Sequence, residues 1–139
     1  MDFYLFISNN DSTAYFPKNK PDYFTVNLTK NLCLRGNWEV CVKDFSAYLT
    51  FDTNTKPKWI NLITNIGEAS YIKGKRVQIL RRIPVPSRVE RYSESFTSPY
   101  YFTVTGAPFS VITVNILNEN LEQSHLTGDI SLTLHFKQV

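Results

Sequence analysis

Glycine, histidine and cysteine are all scarce in this chain, at five, two and two residues among 139. Gly67, Gly74, Gly106 and Gly128 each fall in a loop or turn and Gly36 at a reversal, so there is no Gly-rich phosphate-binding loop. His125 and His135 have no His-x-His, HExxH or Cys/His ligand spacing around them, and neither has a sequence partner that would mark a catalytic triad. Cys33 and Cys41 fit a reducing compartment and read as two free, partly buried thiols. A reversal near Arg35-Gly36 would face Cys33 toward Trp38 to Val40 rather than toward Cys41. No metal, cofactor or catalytic site is therefore expected.

Long hydrophobic runs are also missing. The apolar start, Met1-Asp2-Phe3-Tyr4-Leu5-Phe6-Ile7, carries an acid where a signal peptide would carry a base, and Ser8-Asn9-Asn10-Asp11 ends it. No stretch approaches the length of a membrane-spanning helix, so no membrane span is expected. The expectation is a protein made in a cytosol or nucleus and not secreted. Charged residues are few, at 19% against a usual quarter or so.

What is abundant is apolar and aromatic: 42% hydrophobic and 14% aromatic residues, enough for a core without staples. Such a composition suits both an ordinary aromatic-rich β-domain and a subunit that buries surface in an assembly. The length is that of one domain, expected to span residues 1–139.

Period-2 alternation recurs and helical periodicity is almost absent. Phe24-Val26-Leu28 alternates with Tyr23-Thr25-Asn27, and Ile130, Leu132, Leu134 and Phe136 alternate with Ser131, Thr133 and His135. Both read as strands with one wet face, which puts His135 on the surface. The first strand, Phe3-Leu5-Ile7 against Tyr4-Phe6-Ser8, is apolar on both faces. After Trp38-Val40-Val42 the phase fails at Asp44, and a bulge there would restore it for Phe45, Ala47 and Leu49.

Eight strands result, at about 3–8, 23–28, 38–45, 59–64, 76–83, 100–105, 109–117 and 130–137. They suggest an all-β, single jelly-roll sandwich of two four-stranded antiparallel sheets, with the first strand paired to the last. The expected inward residues are Leu5 or Phe6, Phe24, Val26, Trp38, Val40, Val77, Ile79, Phe102, Val104, Ile112, Val114, Leu132 and Leu134. The one helix candidate, Asn118 to His125, also reads as a loop. Asp11, Asp22, Asp52 and Asp129 read as turn acids.

Two features suggest contact surfaces. Between Tyr71 and Tyr92, Lys73, Lys75, Arg76, Arg81, Arg82, Arg88 and Arg91 face Glu90 alone, a local +6 in a chain of net +3. Such a segment can bind an acidic neighbour, a lipid surface or nucleic acid, or simply protect a strand edge. It lacks interleaved stacking aromatics, so a protein neighbour suits it better than nucleic acid. Tyr4, Phe6, Tyr92 and Tyr101 are out of phase with the inward residues or lie in loops, and aromatics are enriched at interfaces.

Three segments in order resemble a known family. They are Phe3 to Ser12 followed by Tyr15-Phe16-Pro17-Lys18-Asn19 and Phe24 to Leu28; Leu32 to Val40 with Gly36-Asn37-Trp38-Glu39-Val40; and Ile112 to Leu117 with the terminal Leu134-His135-Phe136. This pattern resembles the penton, or minor capsid, proteins of polintons (Mavericks), adintoviruses and related elements. Those proteins commonly show a Phe-Tyr start, a Tyr-Phe-Pro-x-Asn loop, a Leu-x-Gly-x-Trp-Glu-Val strand and a terminal Leu-His-Phe. The chain departs at Cys41, where the family often has glycine, and at Asn118-Glu119-Asn120-Leu121, where an Asp-Gly pair is common. The resemblance implies a non-enzymatic virion protein. Five copies would form a homopentamer at a capsid vertex, among double jelly-roll major capsid proteins. The competing readings are a carbohydrate-binding jelly roll, using surface tyrosines and tryptophans, and a cupin-like metal enzyme, which needs about three inward ligands.

Overall fold

The alternating segments form two antiparallel sheets packed face to face in the computed structural model, which describes residues 1–87, 91–105 and 107–139. In chain order the strands are β1 (Asp2–Ser8), β2 (Tyr23–Leu32), β3 (Trp38–Tyr48), β4 (Trp59–Thr64), β5 (Ser70–Ile72), β6 (Lys75–Val77), β7 (Ile79–Pro84), β8 (Arg91–Ser95), β9 (Phe102–Thr103), β10 (Phe109–Asn118) and β11 (Ile130–Gln138). One sheet runs β1-β11-β3-β8, with β9 also on β3; the other runs β2-β10-β4-β7. The chain crosses between sheets so that its ends become neighbours, which is jelly-roll order. β1 pairs β11 from Asp2↔Lys137 to Ser8↔Ser131, as the alternation of both segments requires.

Inward side chains of both sheets make one core. Phe24, Phe45, Phe136, Ile60, Leu62, Ile83, Ile112, Ile116 and Leu134 are almost wholly excluded from solvent. Each such burial contributes roughly 1.5–3 kcal/mol. The phase break in β3 is a bulge: Asp44 pairs Thr133 but Val42 pairs Leu134, leaving Lys43 as the extra residue. Phe45, Ala47 and Leu49 are buried in consequence.

Several expectations need correction. The strand expected over 76–83 is two. Its first part, β6, belongs to a separate hairpin with β5, turning at Lys73 and Gly74, both with positive φ. Val77 therefore pairs Ser70 and stays outside the core. Ile79 is buried but lies outside the core cluster, whereas Leu80, expected on the other face, joins it beside an irregularity in the β4–β7 register. The strand expected over 100–105 shrinks to β9 plus a bridge from Val104 to Gly67; Phe102 and Val104 only flank the core. Gly106, in the turn expected after it, lies outside the described residues.

β8 was not expected, because Arg91-Tyr92-Ser93-Glu94-Ser95 has no apolar alternation. It places Tyr92 opposite Ala47 with its ring 6.1 Å from Phe45, so Tyr92 flanks the core rather than facing out. Residues 119–125 form a loop. Asn118 Oδ1 accepts the N–H groups of Asn120 and Glu122, and Leu121 and His125 have positive φ, which breaks a helix. Cys33, past the end of β2 in the link to β3, is exposed and not partly buried; Cys41 is buried, and both thiols are free.

Candidate assembly interface

The outward side chains of β11 were expected to be wet, but part of that face is covered by the chain's own residues. Tyr4 stacks on His135 with ring centroids 4.6 Å apart. His135 Nε2 lies 2.9 Å from Asp2 Oδ2, and its Nδ1 lies 2.7 Å from the Tyr101 hydroxyl. His135 is thus buried beneath a tyrosine and an aspartate, although it points away from the core. The Tyr101 hydroxyl also faces the Cys41 thiol. Burial, and then the bond with Cys41, push the Tyr101 phenol up to about 12. Burial pushes the Cys41 thiol up as well. Lys137 Nζ caps the Tyr101 ring at 3.9 Å. This closed network joins β1, β3 and β11; Cys41 is inaccessible within it and its proton is held, the opposite of a nucleophile's setting.

Beyond Tyr4 the face opens. Phe6 is 74% exposed and walls a shallow hollow with Ile7, Ser8, Asp11, Ser131, Leu132 and Thr133. Of the alternatives Leu5 and Phe6, Leu5 is the inward residue. Tyr101 is half-buried in the network above. The four expected surface aromatics therefore differ: Phe6 is free, Tyr4 half-free, Tyr101 engaged and Tyr92 packed against the core.

The basic segment is not one patch. Lys73, Lys75 and Arg76 sit on the exposed β5–β6 hairpin, where Lys73 Nζ donates to Asn120 Oδ1 at 2.8 Å. Arg81 and Arg82 lie on β7 and Arg91 on β8, the edge strands of the two sheets. Arg88 and Glu90 lie outside the described residues. Each edge arginine lies over a ring: Arg81 over Phe96 at 3.8 Å and Tyr100 at 5.1 Å, Arg82 over Trp59 at 4.4 Å, and Arg91 over Tyr48 at 5.7 Å. Tyr48, Trp59 and Tyr100 were missed as site residues because they come from other parts of the chain. Tyr48 and Trp59 showed only as aromatics off the inward phase, and Tyr100 shared the phase of Phe102 and Val104.

The Tyr-Phe-Pro-x-Asn loop has a structural task. Asn19 Nδ2 donates to the Thr25 carbonyl at 2.8 Å while Asn19 Oδ1 accepts the Thr25 N–H at 3.0 Å, satisfying the free edge of β2. Tyr15, Phe16, Pro17 and Tyr23 make a second, apolar hollow beside it. Among the described residues no group of three or more His, Cys, Asp or Glu is placed to hold a metal ion. Among them no helix is long and apolar enough to cross a membrane.

No protein-family model matches the chain, and no curated protein matches its sequence. Among solved structures, the crystal structure of the mavirus penton protein superimposes with a TM-score of 0.68 over 100% of both chains, at 9% identity. The chain has the fold of that penton protein. Two chains that cover each other end to end share the whole domain and not merely a common sandwich motif. At this identity the likeness concerns backbone architecture, and the side-chain surfaces above are this chain's own.

Proposed function

We propose that the chain is a structural capsid protein, the penton or minor capsid subunit of a polinton-type virus. In this reading it is a virion component without catalytic activity. Five copies close a ring at an icosahedral vertex, and the ring is surrounded by double jelly-roll major capsid proteins. The observation that carries the reading is the end-to-end match to the fold of a penton protein. Two further features support it. The outward polar network is closed on itself, and Tyr4 and Phe6 stay exposed on the edge strand β1. The basic residues serve a protein neighbour, since the arginines are already stacked on the chain's own rings and leave few free aromatics for bases.

Native mass spectrometry of the purified chain tests the reading. The expected result is a five-chain species that forms equally in chelator and in reductant. A monomer at every concentration, or assembly that depends on added metal or on oxidation, would overturn it. Cryo-microscopy of assembled particles, with density for this chain off the five-fold axes, would refute the vertex position alone.

A further inference from the structure

Outward residues of the sheet β1-β11-β3-β8 make a trough. Strand alternation sends every second side chain out, and the register aligns Ser8, Ser131, Ser46 and Ser93 in one row across the four strands. Four short side chains in a row make a low floor. Large residues rise two positions away on either side: Phe6 precedes Ser8 on β1, and Tyr48 follows Ser46 on β3. Both rings are exposed, Tyr48 by 50%. Their strand positions lie roughly 17 Å apart, two strand spacings across and four residues along.

Two hollows of about 310 and 240 Å³ share Ser8 and Ser131 and so run together. Phe6 and Asp11 line one end; Asn10, Asp129, Tyr48 and Arg91 line the other. Asp11 is a fixed acceptor: its Oδ2 accepts the Ser8 N–H at 2.8 Å and its Oδ1 the Ser8 hydroxyl at 2.9 Å, and each oxygen keeps a lone pair to spare. Thr133 lies beside Phe6 in the same hollow, outward between the inward Leu132 and Leu134. It is only 7% exposed, and its hydroxyl meets no hydrogen-bond partner among the described residues. A buried hydroxyl is costly to leave unpaired, so this one is set to bond what enters the hollow.

The lining selects the occupant. Asp11 and Asp129 against Arg91 disfavour a polyanion, while Lys43 and Asp44, adjacent on β3, offset each other. An apolar ligand would dehydrate the hydroxyl floor without pairing it. Protein interfaces are poor in serine and aspartate, which are the floor and walls here. A neutral carbohydrate supplies what remains: a C–H face for an exposed ring, and hydroxyls for a carboxylate, an amide and a threonine. Two rings this far apart suit a chain of sugars better than a single one. We propose that the trough binds a neutral oligosaccharide, with Phe6 and Tyr48 under sugar rings and Asn10, Asp11 and Thr133 bonding its hydroxyls.

A printed array of neutral and sulfated oligosaccharides tests it, probed with labelled wild type, Phe6→Ala and Thr133→Val. Both substitutions lie on the outer face, Thr133→Val keeps the side-chain shape, and circular dichroism checks that each variant folds. Wild type is expected to retain neutral oligosaccharides and not sulfated ones. Half-saturation of the retained spots should need at least tenfold more of either variant. A wild type that retains nothing, or only sulfated spots, overturns the proposal. Unchanged retention by either folded variant places the binding elsewhere and overturns it too. Should Phe6→Ala lower the oligomeric mass while wild type retains no glycan, the face is a protein contact instead. Both variants are expected to keep the five-chain mass of the wild type, so failure of the ring and failure of this site are read separately.

Discussion

Replacing Trp38 by alanine empties a site at the start of β3 where three kinds of interaction meet. The indole is 7% exposed, its N–H donates to the Arg35 carbonyl at 2.9 Å, and its ring lies 5.6 Å from Phe3. Phe3 in turn stacks on Phe136 at 4.8 Å, so the indole steadies the β1–β11 pair. Loss of a large buried aromatic costs about 3–5 kcal/mol, mainly through lost packing, since the Arg35 carbonyl keeps the Gln138 side-chain amide as a donor at 3.3 Å. Trp38→Phe keeps a ring but loses the donor, and should cost about 1–2 kcal/mol. Urea unfolding followed by circular dichroism reads both, at concentrations low enough that association does not add to stability. With a slope of about 1.5–2 kcal/mol per M, the alanine variant's midpoint should fall by roughly 1.5–3.3 M with the slope unchanged. A shift under about 1 kcal/mol would show that Trp38 does not anchor the core.

Gly128→Ala should destabilise by more than about 2 kcal/mol in thermal melts, through overpacking. The added methyl would lie within 2.2 Å of the Tyr48 carbonyl oxygen, and backbone at the end of β3 would have to move. A thiol reagent should titrate Cys33 at once and Cys41 only after unfolding, since one is exposed and the other buried; two fast thiols would contradict the packing around His135. Spectrophotometric titration should find two tyrosines ionising late. Burial, followed by the Glu94 carboxylate, pushes Tyr92 up to about 12, and burial with Cys41 does the same for Tyr101. A phenol whose pKa is raised on folding stabilises fully below about pH 10, and that contribution should be lost as pH rises through about 12. Stability that is flat from pH 10 to 12 would refute both assignments.

The fold was legible because its central strands obey a period of two. Phe24 and Val26 in β2, Ile112 and Val114 in β10, and Leu132 and Leu134 in β11 alternate cleanly and are all buried. Even the bulge at Lys43 could be read, since only an extra residue brings Phe45 back into phase. The edges were not legible. β8 is polar and exposed, so no periodic burial marks it, and β9 is too short to show any. Most of β6 hid inside the apparent strand over 76–83 because Val77 continues the alternation of Ile79 and Ile83, and β5, three residues long, showed no alternation of its own. The candidate surface was read only in part for a similar reason. Positions of the arginines were plain, but the rings beneath them, Tyr48, Trp59 and Phe96, are supplied by tertiary structure.

The motif residues that prompted the family resemblance turn out to have architectural tasks. Gly36 has a φ of 85° and leaves a β-carbon only 3.2 Å from the Gln138 side chain, so it both turns the chain and admits β11 alongside. Trp38 fastens its indole to the loop at Arg35, and Asn19 satisfies both backbone groups of Thr25. Phe136 fills the core while His135, its neighbour, ties Asp2 to Tyr101 on the other face. Residues kept for chemistry gather around one reactive point. These instead sit at separate strand ends and edges, each fixing where a strand begins, pairs or stops.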